Sequence, residues 1–260
     1  MLRSCKGSFD CDVASLRETI SAQDDRAEMT WIKICGMTNL EDALIAVDAG
    51  ADAVGFVFYE KSPRCVSVET AREICAKLPE GVEKVGVFVG ELQAAEIAVS
   101  CGLGAVQRYI GRPRSDGPIK LSDPQYWKRV KSYWAVPSDT FLDEQIAKSN
   151  LESVALRRHG ALWDSHDAIF VDSGNWQQHG GTGKTFDWRE AASAFKILNA
   201  HLRVVLAGGL TADNVGDAIQ ILQPWGVDVA SGVEARPGKK DPEKVRAFVR
   251  AVREMDARVA

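Results

Sequence analysis

The chain has 260 residues, of which 45% are hydrophobic and 26% charged, and this ordinary globular usage excludes a disordered chain, a collagen and a disulfide miniprotein. Lys and Arg number 32 against 36 Asp and Glu, so the formal net charge is −4 and no bulk attraction to nucleic acid or to an anionic membrane is expected. No apolar run reaches the roughly 18 residues of a membrane helix, and residues 1–30 contain no secretory signal.

From residue 31 onward, short apolar segments rich in β-branched residues alternate with longer segments of helical spacing. The predicted strands occupy 31–35, 53–58, 82–89, a stretch beginning at 105–107, 133–137, 168–171, 203–206 and 227–230. The predicted helices occupy 40–47 with Gly50 as C-cap, 67–78, 91–101, 122–131, 139–149, 187–199, 211–222 and 241–255. Residues 153–166 fit no clean period.

Eight strand–helix units in succession predict a parallel sheet covered by helices, and their right-handed crossovers can close it into a (β/α)8 TIM barrel. The alternative is an open doubly wound sheet, but no G-x-G-x-x-G follows the first strand, which weakens its dinucleotide-binding version. We therefore expect residues 31–260 to form a barrel catalytic domain. Residues 1–30 are predicted to be a short extension that is mobile or loosely packed and has no catalytic duty.

In such a barrel, reactive residues lie at the C-terminal ends of the strands and in the loops that follow them. Gly208-Gly209 and Ser231-Gly232 follow strands 7 and 8, where main-chain amides commonly bind phosphate; two ordinary glycine turns are the alternative. The segment 180–185, GGTGKT, lacks the first glycine of a Walker loop. It is interpreted as a flexible loop over the site, or as a surface turn.

Three side chains at strand ends suit acid, base and anion-binding chemistry. Cys35 ends strand 1 with Lys33 two residues earlier, and a nearby cation promotes the thiolate that a base requires, although a Cys is more often a small buried hydrophobe. Asp172 ends an apolar strand, where partial dehydration raises the pKa of a carboxyl; a turn or cap Asp is the alternative. Arg64 offers a fork for a carboxylate, although a lone Arg is more often solvated, and Asp228 is expected to play a supporting role in the barrel core.

The remaining sulfur and imidazole groups indicate no metal chemistry. The six cysteines include no C-x-x-C pair, and the four histidines show no metal-binding spacing. We expect reduced thiols, a cytoplasmic location and no metal site.

Short motifs in a fixed order along residues 31–256 resemble the phosphoribosylanthranilate isomerase family of tryptophan biosynthesis. They are KICGMT at 33–38, EDA at 41–43, GADAVGFVFY at 50–59, KSPR at 61–64, VGVFV at 85–89, GGTGKTFDW at 180–188, AGGL at 207–210, SGVE at 231–234 and PGKKD at 237–241.

The resemblance implies a (β/α)8 barrel and an aldose–ketose isomerase, that is, an intramolecular oxidoreductase without a cofactor. Its Amadori rearrangement would convert N-(5-phosphoribosyl)anthranilate into 1-(o-carboxyphenylamino)-1-deoxyribulose 5-phosphate. It further implies a small phosphorylated substrate, no nucleic-acid or membrane partner, and a monomer or homodimer. Matched motif by motif, the implied roles are a general base at Cys35, a general acid at Asp172, a carboxylate ligand at Arg64, and phosphate contacts at Gly209, Ser231 and Gly232.

The sequence departs from the family pattern at strand 4 and at the strand 8 loop. Where the family usually reads VQLHG, Arg108 and Tyr109 replace the Leu and His, and we expect both to alter one wall of the site. Ala230 replaces a common Ser and removes a possible hydroxyl donor. Another phosphosugar isomerase and a non-catalytic phosphosugar-binding barrel therefore stay as alternatives, and the presence of both Cys35 and Asp172 argues against the second.

Overall fold

Eight parallel strands form a closed barrel in chain order, and the last strand pairs back onto the first. The computed structural model describes residues 29–89, 94–109, 130–140, 166–174, 184–200 and 202–259. The strands are β1 Trp31–Cys35, β2 Ala53–Val57, β3 Glu83–Val89, β4 Ala105–Tyr109, β5 Lys131–Pro137, β6 His166–Asp172, β7 Val204–Ala207 and β8 Gly226–Val229. The predicted (β/α)8 architecture is confirmed, and the open doubly wound alternative is wrong.

Helices follow the strands and cover the outside of the barrel. The described helices are α1 Leu40–Asp48, α2 Val68–Cys75, α3 Ala94–Cys101, α4 Trp188–Asn199, α5 Val215–Leu222 and α6 Pro242–Val259. Asn39, Ser67 and Asp187 cap the N-termini of α1, α2 and α4 through side-chain oxygens that accept backbone N–H groups. Each cap stands directly before the apolar periodicity begins, so these three helix starts could be read from the sequence.

The lower half of the barrel interior is filled by apolar side chains, which confines open space to the other end. Tyr133 and Phe170 are fully buried there among small residues of neighbouring strands. Trp31 stacks on Trp225, with 5.3 Å between ring centroids. This packing forms a floor beneath the C-terminal ends of the strands.

Three elements differ from the expectations. A short antiparallel hairpin, β9 Glu234–Arg236 and β10 Lys239–Lys240, follows β8 and was not predicted. Helix α5 begins at Val215, later than the expected 211, because Asn214 Oδ1 accepts from the Thr211 N–H and holds residues 211–214 in a turn. Strand β5 already begins at Lys131, inside the helix expected over 122–131.

Several predicted segments lie outside the described residues. They are residues 1–28 of the predicted extension, the helical positions 91–93, 122–129 and 141–149, and residues 153–165. Within the described part of the chain, no helix is both long enough and apolar enough to cross a membrane.

Candidate active site

A cavity of ≈ 390 Å³ opens at the C-terminal ends of the strands, above the aromatic floor. Five of the six predicted site residues line it: Cys35, Arg64, Asp172, Gly209 and Ser231. The predicted acid and base thus lie on one shared cavity, because β1 and β6 belong to the same closed sheet. No group of three or more potential metal ligands occurs among the residues that the structure describes.

The Cys35 thiol is buried at the end of β1, 7% exposed, and faces the cavity. Gly55 on the neighbouring strand makes room for it, since a Cβ there would lie 2.7 Å from the sulfur and 3.0 Å from Cε of Lys33. Burial raises the pKa of Cys35 above its ordinary value, and the Lys33 ammonium lowers it only in part. The thiolate that forms beside this fixed cation is a strong base, which suits the removal of a proton from carbon.

Lys33 and Asp228 form a buried ion pair beside this thiol, with 2.9 Å between Nζ and Oδ1. Burial alone would lower the pKa of Lys33, but Asp228 and Cys35 more than compensate and raise it. Lys33 therefore stays charged. The supporting role expected for Asp228 takes the form of this pair, which joins the first strand to the last.

Asp172 is 5% exposed at the end of β6 and accepts two hydrogen bonds. The Tyr109 hydroxyl donates to Oδ2 at 2.8 Å, and the Gly174 N–H donates to Oδ1 at 2.7 Å. Burial raises the pKa of Asp172, while these two hydrogen bonds lower it in part. The raised pKa that the sequence predicted for this carboxyl has a structural cause, and a protonated Asp172 can act as an acid near neutral pH.

Arg64 lines the cavity, but part of its guanidinium is already engaged. Its Nε and Nη2 donate to the two oxygens of Glu234 at 2.9 and 2.8 Å. A guanidinium has five N–H groups, so Nη1 and the second Nη2 hydrogen stay available for another carboxylate. Gly36, at φ +84°, makes this position possible, because a Cβ there would lie 2.6 Å from Cδ of Arg64. Arg64 is thus a buried, oriented cation and not a solvated surface residue.

The β9–β10 hairpin supplies a buried polar network that the sequence analysis missed. Glu234 also accepts from Nζ of Lys240 at 3.1 Å, and Lys240 donates to the Ala230 carbonyl at 3.1 Å. Burial would raise the pKa of Glu234, but Arg64 and Lys240 lower it below its ordinary value, so the carboxyl stays ionised. The SGVE and PGKKD motifs were the available signal, since they contain Glu234 and Lys240.

The loops after β7 and β8 are packed where a side chain would not fit. Gly209, at φ +66°, lies against the main chain of Lys184, where a Cβ would be 2.5 Å from the carbonyl carbon. A Cβ on Gly232 would be 1.8 Å from the Leu210 carbonyl oxygen. Gly209 and Ser231 line the cavity, whereas Gly232 is not part of its lining and lies directly behind Ser231. Both loops therefore contribute residues to the cavity lining.

The two residues of β4 that depart from the family pattern, Arg108 and Tyr109, point to opposite faces of the sheet. Gln107 and Tyr109 line the cavity, but Arg108 does not; it is buried and directed to Ser132, with 3.5 Å between Nη2 and Oγ. The expectation that Arg108 forms part of the site wall is wrong, because successive side chains of a strand point to opposite faces. Oε1 of Gln107 is buried without a hydrogen-bond partner among the described residues.

Part of the predicted loop over the site lies outside the described residues. Residues 175–183 include Trp176 and most of the GGTGKT segment. Lys184 and Thr185 are described, and their main chain lies against Gly209. The end of this segment therefore adjoins the predicted phosphate loop.

Comparison with known proteins identifies relatives along most of the chain. The family model described as N-(5'phosphoribosyl)anthranilate (PRA) isomerase matches residues 32–107 and 143–251. An N-(5'-phosphoribosyl)anthranilate isomerase from Pelobacter propionicus is 45% identical over 228 residues, which is 87% of this chain and 97% of the relative. The protein of the same name from Trichlorobacter lovleyi is 43% identical over 228 residues, covering 87% and 99% of the two chains.

Solved structures agree with these relatives. Phosphoribosyl anthranilate isomerase from Thermotoga maritima matches with a TM-score of 0.69 and 38% identity, covering 87% of this chain and 100% of that one. A phosphoribosyl anthranilate isomerase in complex with reduced 1-(o-carboxyphenylamino)-1-deoxyribulose 5-phosphate matches with a TM-score of 0.66, 36% identity and the same coverage.

Proposed function

Because the chain belongs to the N-(5'-phosphoribosyl)anthranilate isomerase family, we propose that its cavity rearranges N-(5-phosphoribosyl)anthranilate into 1-(o-carboxyphenylamino)-1-deoxyribulose 5-phosphate. The chain is thus an isomerase of tryptophan biosynthesis. The observation that carries the proposal is that Cys35 and Asp172, a buried thiol and a carboxyl of raised pKa, face one cavity bordered by the two glycine loops.

The first step opens the ribose ring. Asp172 gives its proton to the ring oxygen while the bond from C1 to that oxygen breaks, and the nitrogen lone pair forms an iminium with C1. Burial raises the pKa of Asp172 above its ordinary value, which increases the fraction that carries a proton and so supports this transfer. The iminium in turn acidifies the hydrogen on C2.

The second step removes that hydrogen. The Cys35 thiolate takes the C2 proton, and the bonding pair moves to form the enol-amine. The C2 hydroxyl then becomes a carbonyl as C1 gains a proton, which the Cys35 thiol can return, and the proton lost from the hydroxyl can restore Asp172. The fixed Lys33 ammonium stabilises the thiolate form throughout.

The two anions of the substrate have separate proposed partners in the cavity lining. Arg64 is proposed to bind the anthranilate carboxylate through the N–H groups that Glu234 does not use. Gly209, Ser231 and Gly232 are proposed to contact the phosphate through the main chain. Fixing both ends of the substrate reduces the entropic part of the barrier.

Two wider properties belong to this proposal. A cytoplasmic location follows from a biosynthetic role and from the reduced thiols expected from the sequence. One solved relative from Thermotoga maritima is described as dimeric; a monomer or homodimer stays the prediction for this chain.

A coupled fluorescence assay that follows the loss of phosphoribosylanthranilate tests the reaction directly. The purified chain should consume the substrate, and inorganic phosphate should compete with it for the glycine loops. A chain that binds the product but does not turn the substrate over would be a phosphosugar-binding barrel, and one active only on other phosphorylated sugars would be a different isomerase. Either outcome would refute the proposal.

A further inference from the structure

Two donors from different elements hold the Asp172 carboxyl. Besides the Gly174 N–H on Oδ1, the Tyr109 hydroxyl reaches from β4 past the intervening β5 to donate to Oδ2 at 2.8 Å. Each carboxyl oxygen can accept two hydrogen bonds, so each keeps one site unoccupied by these donors. The carboxyl is therefore clamped on both oxygens and can still carry an acid proton.

We propose that Tyr109 is a positioning residue for the general acid: its hydroxyl fixes the Asp172 carboxyl in the cavity and leaves the acid proton on the sites that face the substrate. This inference rests on the proposed isomerase reaction, because it assigns to Asp172 the role of acid. The Tyr109 ring also lines the cavity, so the same side chain closes this flank of the site.

The electrostatics of the pair explain why such a donor is useful. Burial is the largest influence on Asp172 and raises its pKa, and an acid whose pKa lies far above the working pH releases its proton poorly. The Tyr109 hydrogen bond stabilises the carboxylate and brings this pKa back down. Burial and the neighbouring Asp172 raise the pKa of Tyr109 well above its usual value, so its hydroxyl stays protonated and remains a donor.

Few other charged groups among the described residues influence the pair. Asp228 on β8 raises the pKa of Asp172, and Lys33 on β1 lowers it. Cys35 on β1 acts on Tyr109 in the same direction as Asp172 does. The residues in register with Asp172 on the two flanking strands, Pro137 on β5 and Ala207 on β7, carry no charge.

Tyr109→Phe tests the proposal, because it removes the hydroxyl and keeps the ring. Loss of a donor to the charged form should raise the pKa of Asp172 by about one pH unit. The shift is measured by ¹³C NMR titration of the side-chain carboxyl, whose signal is assigned by its loss in Asp172→Asn. In the substrate assay, kcat should fall about tenfold while KM stays within about twofold, because the acid loses its orientation and the anion contacts remain.

Tyr133→Phe is the matched control. Tyr133 also belongs to a barrel strand and donates to a carboxylate, Glu83 Oε2, at 2.8 Å, but it lies below the cavity and does not line it. This variant should lose stability without changing kcat or the Asp172 titration.

The outcomes separate the inference from the function. An Asp172 titration that is unchanged or lowered in Tyr109→Phe, an unchanged kcat, or no titration of Asp172 between about pH 3 and 9 in the wild type would overturn the role of Tyr109. A wild-type chain that does not consume phosphoribosylanthranilate would overturn the proposed function instead, and the NMR titration would still report whether Tyr109 acts on Asp172.

Discussion

At the scale of single residues, the site depends on one thiol and one carboxyl whose proton affinities are set by opposing influences. Burial raises the pKa of both Cys35 and Asp172. Lys33 lowers the first, and donors from Tyr109 and Gly174 lower the second. The reactive protonation state therefore depends on neighbours that the reaction itself does not touch.

Removal of either group should abolish most of the turnover while the fold persists. Cys35→Ser and Asp172→Asn should each lower kcat by at least about 10²-fold, since a positioned acid or base contributes about 10²–10⁴. Steady-state kinetics and circular dichroism together check this expectation. The exposed Cys65→Ser and Asp217→Asn serve as controls and should be unaffected. Near-normal turnover in both site variants would contradict the assigned roles.

Site residues could be predicted from the sequence where they lie at the end of a strand. Cys35 and Asp172 could be selected because they end strands of a barrel, and the structure brings both to one cavity. Glu234 and Lys240 were not selected, since their roles depend on the contact between Glu234 and Arg64, which lie 170 positions apart in the sequence. A single sequence gives strand ends, but it does not give the partners of a buried charge.

At the scale of elements, the β9–β10 hairpin orients Arg64 by presenting Glu234 to it. The hairpin is in turn tied to α1, because Asp42 accepts from the Lys240 N–H at 2.8 Å and from Lys239 Nζ at 2.6 Å. The EDA motif of α1 and the PGKKD motif thus belong to one structural unit. This unit holds the Arg64 guanidinium at a fixed position beside the cavity.

Neutralising Glu234 should disturb both binding and stability. In Glu234→Gln, Arg64 and Lys240 lose their buried counter-charge, which should cost about 3–5 kcal/mol of unfolding free energy. The value of KM should rise because Arg64 is no longer oriented. Urea denaturation and steady-state kinetics measure the two effects. Glu41→Gln removes only the exposed ion pair of Lys239 and should change neither the unfolding free energy nor KM. An equal rise of KM in both variants would contradict the role of Glu234 in orienting Arg64.

The glycine loops make a separate prediction. Gly232→Ala places a Cβ 1.8 Å from the Leu210 carbonyl oxygen, so the loops after β7 and β8 must separate. The inhibition constant for inorganic phosphate and the KM for substrate should both rise by about tenfold or more, since main-chain amides would be displaced from the anion. The control is Gly81→Ala, where nothing lies within 4 Å of the new Cβ. Unchanged phosphate inhibition in Gly232→Ala would count against these loops as the anion site.

The sequence predicted the strands better than the elements between them. Runs of β-branched residues placed all eight strands, with shifts of one or two residues at their ends. The β9–β10 hairpin was not predicted because its strands have only three and two residues and its turn needs a positive φ at Gly238. Such short elements carry no periodicity of their own.

At the scale of the whole molecule, the barrel is completed where β8 meets β1, and α6 joins the starts of β1 and β2 from outside. Arg253 on α6 donates to the Thr30 carbonyl at 2.6 Å, to Asp52 at 2.9 Å and to Asp256 at 3.1 Å. One side chain of the last helix thus holds the start of the first strand and the start of the second.

Truncating this side chain should weaken the closed barrel as a whole. Arg253→Ala should lower the unfolding free energy by about 1–2 kcal/mol, because a half-buried set of charged hydrogen bonds is lost. Chemical denaturation followed by tryptophan fluorescence measures it. Arg246→Ala removes an exposed ion pair with Glu243 on the same helix and should cost less than about 0.5 kcal/mol. Equal effects of the two substitutions would show that Arg253 does not stabilise the barrel by joining the starts of β1 and β2.

The pairing of Lys33 with Asp228 has a consequence for the order in which the enzyme becomes competent on the ribosome. The nascent chain produces the thiol first and the acid later, but the counter-ion of the ammonium beside the thiol is among the last parts synthesised. The ion pair beside the thiol can therefore form only once the last barrel strand has docked. A fragment that ends before this strand would contain both reacting groups and lack the pair.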